Sequence, residues 1–140
     1  MANLDDFSRR IHQRALEMAS GVEIAAKETA LVVDQVVVTE TPVDTGRARA
    51  NWQVGIGQPV NTSTIETDDS QSAGPTLSRN EDEIERWTLA DENIHLTNNI
   101  EYITPLNEGS SAQAPAGFVE TAILEGLEAL QRIRIFRGTI

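Results

Sequence analysis

The segment NLDDFSRRIHQRALEMASGVEIAAKETALVVDQVVVT, residues 3–39, is the most informative part of this chain for its architecture. Its apolar residues recur every three or four positions, which is the period of an amphipathic α-helix. Asn3 suits the N-cap, and the acidic side chains of Asp5 and Asp6 favour the positive end of the helix dipole. The sequence therefore predicts one long helix over residues 1–39. The residues of the apolar stripe are Leu4, Phe7, Ile11, Ala15, Met18, Val22, Ala25, Val32 and Val36.

The predicted helix is longer than one small domain can cover. About 36 residues at a rise of 1.5 Å extend roughly 54 Å, whereas a chain of 140 residues has a radius of gyration of about 14 Å. We therefore expect part of the stripe to contact another chain. Two alternatives shorten the helix: Gly21 interrupts it, or the β-branched run at residues 32–39 is extended.

The remaining chain predicts an α+β fold with a small, mostly antiparallel sheet and a C-terminal helix packed on one face. Polar and apolar residues alternate at 50–57 and 93–98, as in strands with one buried face. Pro115 suits the first turn of a helix over 115–131. The other predicted elements are a polar loop at 58–78, a short helix at 79–89 opened by a capping box from Ser78 to Glu81, and an alternating arm at 132–140.

Residues 100–109 fit two structures. They form either the return strand of a hairpin or a short helix with Ile100, Ile103 and Leu106 on one side, and Pro105 disfavours both. The sequence leaves this choice open. A length of 140 residues accommodates one domain, residues 1–140.

The charge of the chain argues against ordinary nucleic-acid binding. The net charge is −11, and residues 58–110 contain 11 acidic and 2 basic residues, a local charge of −9. Such a surface repels phosphate, because duplex binding depends on Lys and Arg displacing counterions. It is either a solvated acidic face or a surface that lets DNA pass without binding it.

Residue types that carry catalysis are scarce. The chain has no Cys and two His, and it lacks both the nucleophile elbow of acyl hydrolases and the phosphate-binding loop. We therefore predict no catalytic residue, cofactor or metal site, and no enzymatic activity. The sequence also has no apolar run of the ~20 residues that cross a bilayer and no apolar leader core in residues 1–20, so we expect no membrane contact and a cytoplasmic site of synthesis.

The segment TPVDTGRARANW, residues 41–52, predicts a shaped turn between the helix and the first strand. Pro42 ends the helix, and the residues from Asp44 to Gly46 favour a turn. Arg47 and Arg49 then present two guanidinium groups. They either brace the turn or form a salt bridge between subunits.

Two segments in this order resemble the tail-completion, or neck, proteins of long-tailed bacteriophages, the family that includes lambdoid minor tail protein Z. The first is TPVDTGRARANW at 41–52. The second is LTNNIEYI at 96–103, which continues through LNEG at 106–109 to QAPAG at 113–117. The resemblance covers about residues 1–131. It departs at Pro105–Asn107, where relatives more often carry a continuous helix.

The resemblance implies a non-enzymatic virion protein at the head–tail junction. Such a protein is assembled in the host cytoplasm, forms a ring with copies of itself, joins the connector to the tail tube and contacts other neck, connector or tail tube proteins. A ring of about six copies carries a net charge of about −66 and meets DNA only as it passes through the lumen. The predicted interface residues are Val43, Asp44, Thr45, Gly46, Arg47, Arg49, Trp52, Tyr102, Glu108, Arg132, Arg134 and Phe136.

The acidic block at 58–110 supports a different function as an alternative. A chain with this charge resembles DNA electrostatically and would occupy a basic protein partner. Carboxylate pairs such as Asp68 and Asp69 also permit a metal-dependent hydrolase, although the calcium-loop spacing is absent.

Overall fold

A computed structural model describes residues 3–42, 46–61, 64–66, 73–109 and 116–133. The architecture is the α+β fold that the sequence predicts: a long N-terminal helix, a two-stranded antiparallel sheet and a C-terminal helix packed on the first. The elements are α1 Leu4–Glu40, α2 Arg47–Ala50, β1 Trp52–Ile56, α3 Gly74–Arg86, β2 Ile94–Asn98, α4 Ile103–Asn107 and α5 Phe118–Arg132.

Helix α1 is continuous over 37 residues. The side chain of Asn3 accepts a hydrogen bond from the Asp6 amide at 2.9 Å, as expected of the N-cap. Neither predicted interruption occurs: the helix passes through Gly21 and through the β-branched run. Val37 and Val38 are fully buried, so core packing outweighs the weak helix propensity of β-branched residues.

The two strands confirm the predicted antiparallel pair. The register places Val54 opposite Leu96 and Ile56 opposite Ile94, so these apolar residues share one face. That face looks toward α1, since Leu96 packs against the core that α1 helps to form.

Helix α5 lies along the C-terminal half of α1. Gly126 makes this close approach possible, because a Cβ atom there would lie 2.4 Å from the Val33 methyl group. The predicted packing of the C-terminal helix on one face is therefore confirmed. The buried core between α1, α5 and β1 consists of Val37, Val38, Trp52, Phe118 and Ala122.

The predicted start of the middle helix is wrong. Helix α3 begins at Gly74, so the predicted polar loop ends earlier than residue 78 and Ser78 is an interior helical residue. Pro75 occupies the first turn, where its missing N–H has no cost. The buried residues Thr76, Asn80 and Ile84 recur every four positions and lie on one face of α3. Because Thr76 belongs to this buried face, the helix begins before the predicted capping box at Ser78.

The remaining boundaries also differ from the sequence prediction. Residues 103–107 form the short helix α4. Of the two alternatives for residues 100–109, the short helix is therefore correct and the return strand of a hairpin is wrong. Pro105 is tolerated because it lies in the first turn. Helix α5 begins at Phe118 rather than at residue 115, since Gly117 adopts a left-handed conformation at φ 81° and serves as the N-cap. Pro115 and residues 134–140 of the predicted arm lie outside the described residues.

Candidate functional site

The chain reversal between α1 and β1 is held by a buried hydrogen-bonded pair. The Trp52 indole Nε1 donates to Thr41 Oγ1 at 2.8 Å, and the Thr41 hydroxyl in turn donates to the carbonyl of Val37. Both side chains are buried. The pair fixes the direction in which β1 leaves the end of the long helix.

The two arginines of this turn bind groups of their own chain. Arg49 Nη2 donates to the carbonyls of Thr39 and Thr41 at 3.0 and 3.3 Å, at the C-terminal end of α1. Burial lowers the pKa of Arg49, and the nearby Glu40 carboxylate opposes this shift. Arg47 Nη2 lies 3.2 Å from Glu66 Oε1. These contacts favour the braced turn, and a salt bridge between subunits stays a prediction.

Asn51 attaches the downstream loop to the turn. Its side chain is fully buried and pairs with the backbone of Ile65, donating to the carbonyl at 2.8 Å and accepting from the amide at 2.6 Å. It also donates to the Arg47 carbonyl at 2.8 Å. The described part of the predicted polar loop is therefore anchored, a role that no local pattern around Asn51 indicates.

A second buried polar cluster joins α1, α3 and β1. Asn80 Nδ2 donates to Asp34 Oδ1 at 2.7 Å and to the Trp52 carbonyl at 3.0 Å. Arg79 Nη2 donates to the same carbonyl at 2.8 Å and to that of Ala50 at 3.0 Å. The Asn80 Oδ1 atom is buried and has no hydrogen-bond partner among the residues that the structure describes.

Burial raises the pKa of Asp34 to about 6, although the hydrogen bond from Asn80 and the charge of Arg79 favour the carboxylate. Burial also lowers the pKa of Arg79. The sequence prediction did not assign Asp34 a role. The available signal was the one acid, Asp34, in the run at residues 30–38, whose other residues are apolar except Gln35.

The apolar stripe of α1 is uncovered over its N-terminal half. Leu4, Phe7, Ile11, Met18 and Val22 are between 39% and 83% exposed, and we call this set the α1 stripe. At 100° per residue it lies on the same helix face that α5 covers farther along, at Thr29 and Val33. A single chain therefore covers only half of this face.

The other predicted interface residues have different environments. Tyr102, Glu108 and Arg132 are exposed, Gly46 is buried with φ 74°, and Trp52 is buried and contributes to the core. Trp52 therefore has little exposed surface with which to contact another subunit. The remaining predicted interface residues, Val43, Asp44, Thr45, Arg134 and Phe136, lie outside the described residues.

Within the described ranges, no group of three or more His, Asp or Glu side chains is arranged to hold a metal ion. No helix in this part of the chain has the length and apolar character needed to cross a bilayer. Comparison with known proteins gave no matching family model, no matching curated protein and no matching solved structure.

Proposed function

We propose that this chain is a structural virion protein of a tailed phage that forms a ring at the head–tail junction, joins the connector to the tail tube and lets DNA pass. The observation that carries the proposal is the exposed α1 stripe. The resemblance of residues 41–52 and 96–117 to tail-completion proteins is the reason for proposing that the ring lies at the head–tail junction.

The geometry of α1 supports self-association. The segment from Leu4 to Val22 extends about 28 Å, and its exposed residues keep the ordinary helical period, so they form one continuous apolar face along this length. Large apolar stripes on one chain are normally covered by another surface. Copies arranged around a closed axis cover identical stripes without leaving a free end.

The charge of the chain supports passage of DNA rather than its binding. Glu81, Asp82 and Glu85 are exposed on α3, within the region whose net charge is −9. A lumen lined by such acids would repel the phosphate backbone. In the proposed ring, α3 therefore faces the bore.

The decisive experiment measures mass by light scattering and shape by negative-stain imaging. We expect a hollow annulus for the natural chain. The double variant Ile11→Glu/Met18→Glu is expected to dissociate to monomers while its thermal unfolding stays cooperative, because both side chains are exposed in the single chain.

The matched control is Gln13→Glu/Ser20→Glu, which adds the same charge on the opposite, exposed face of α1. It should leave the annulus intact. A natural chain that remains monomeric would contradict the proposal. If that monomer instead captures a basic protein, and neutralising Glu81, Asp82, Glu83 and Glu85 abolishes capture, the DNA-mimic alternative is correct.

A further inference from the structure

The N-terminal half of α1 projects beyond the helix that packs on it. Leu130, near the C-terminal end of α5, and Val22 of α1 line the same groove, and α5 ends at Arg132. Every residue from 3 to 18 is exposed. At a rise of 1.5 Å per residue, residues 4–18 extend roughly 22 Å away from this groove, and we call them the α1 arm.

A second apolar surface is uncovered on α5. Ile123, Leu127 and Leu130 recur at helical spacing and are between 37% and 49% exposed. Leu130 joins this face to the groove, an open apolar cavity of about 510 Å³ that also includes Val54 and Leu96 of the sheet. We call the exposed face of α5 together with the groove the α5 surface. An uncovered apolar surface of this kind is typical of a contact with another chain.

The α1 arm and the α5 surface of one chain cannot meet each other. Helix α1 is continuous, so it carries the arm away from the α5 of its own chain. Contact between two arms would leave both α5 surfaces in water. Packing of the arm on the α5 surface of the next copy removes both apolar surfaces from water at once. Such a contact is heterologous, and heterologous contacts close into a ring.

The charges beside the two surfaces are complementary. Arg10 and Arg14 lie one turn apart along one side of the α1 stripe, and neither forms an ion pair within the described part of the chain. Glu92 at the groove and Glu128 on α5 are exposed. Residues 4–18 contain three basic and three acidic side chains, so the net charge of −11 belongs to the rest of the chain. The arm is therefore a segment that an acidic neighbour does not repel.

We propose that the α1 arm of one copy packs on the α5 surface of the next copy. The α1 stripe contacts Ile123, Leu127 and the groove, and Arg10 and Arg14 face the acidic side chains at its edge. The inference rests on the proposed self-association and names the surface that the α1 stripe covers in the neighbouring copy.

The test uses variants that each lose one half of the contact. Leu127→Glu places a charge in the middle of the α5 face at a half-exposed position, and we expect it to reduce the assembly to single chains of 15.3 kDa in light scattering, with cooperative thermal unfolding. Thr121→Glu adds the same charge on the polar side of α5, beside Glu125, and should leave the annulus intact.

Mixing then shows whether the two surfaces contact each other. The Leu127→Glu chain retains its arm, and the Ile11→Glu/Met18→Glu chain retains its α5 surface. We expect an equimolar mixture to form a complex of one copy of each variant, with twice the mass of a single chain, and no larger species. Native mass spectrometry identifies this composition, because the two variants differ in mass.

The outcomes separate this inference from the proposed ring. A Leu127→Glu chain that forms the same annulus as the natural chain would overturn the inference and leave the ring in place. A mixture that stays monomeric would also overturn it, since the two surfaces would then be required without contacting each other. A natural chain that is itself monomeric would overturn the ring, and the inference with it.

Discussion

At the residue scale, buried hydrogen bonds between distant positions hold the turn that follows α1. The Thr41 hydroxyl is the acceptor for the Trp52 indole at 2.8 Å. Thr41→Val keeps the shape but leaves that buried donor unpaired, so we expect a loss of about 1–3 kcal/mol in the free energy of unfolding. Urea denaturation at one fixed protein concentration measures this loss.

Thr41→Ser is the matched control for that prediction, because it retains the hydroxyl and removes one methyl group. It should cost about 1 kcal/mol or less. Equal losses in the two variants would show that the methyl group, and not the hydrogen bond, is what matters at this position.

Asp34 gives the fold a dependence on pH. Its pKa is about 6 in the folded chain against an ordinary value of 3.8, so between these values the folded state binds more protons than the unfolded state. The contribution of Asp34 therefore becomes less favourable as the pH rises through this window, by about 3 kcal/mol in total. Asp34→Asn is expected to stabilise the chain at pH 7 and to have no such effect below about pH 4.

Denaturation across this pH range, compared between the natural chain and Asp34→Asn, measures the effect. Asp82→Asn makes the same chemical change at an exposed position of α3 and should leave the pH profile almost unchanged. A loss of stability in Asp34→Asn at pH 7 would mean that the buried carboxylate makes a net favourable interaction with Arg79 and Asn80.

At the scale of elements, close packing of α5 on α1 depends on a single glycine. Gly126→Ala would place a Cβ atom 2.4 Å from Val33 Cγ2, and overpacking of this kind costs about 1–3 kcal/mol. The gain of about 1 kcal/mol in helix propensity offsets only part of it. We expect net destabilisation in thermal or chemical unfolding.

The double variant Gly126→Ala/Val33→Ala tests the stated cause, since removing the valine methyl groups makes room for the new one. The Val33→Ala substitution should be less destabilising in the Gly126→Ala variant than in the natural chain, which a double-mutant cycle measures. Thr121→Ala, at an exposed position of α5, controls for propensity alone. Strictly additive effects would exclude the clash as the cause.

Sequence periodicity predicted α1, both strands and α5 because each has a regular apolar pattern. It misplaced the start of α3, where the pattern includes the polar residues Thr76 and Asn80, buried through tertiary contacts. Periodicity also did not reveal the hydrogen bonds by which the Asn51 side chain holds the backbone of Ile65, for a related reason. The partner of that amide, Ile65, lies 14 positions away, and no local spacing encodes such a pairing.

At the scale of the whole molecule, the chain combines an uncovered apolar stripe with a net charge of −11. The two properties act in opposite directions on self-association. Burial of the α1 stripe favours contact between copies, whereas equal charges on the copies oppose it. Ring formation therefore requires the apolar contribution to exceed the repulsion.

This balance makes the sign of the salt dependence diagnostic. Raising NaCl from about 0.05 M to about 0.5 M screens repulsion between like-charged copies, so we expect the assembled fraction in light scattering to increase. Binding of a basic partner through the acidic surface would weaken over the same range, because there the screened interaction is attractive. An assembled fraction that falls as salt rises would show that opposite charges, and not the α1 stripe, hold the copies together.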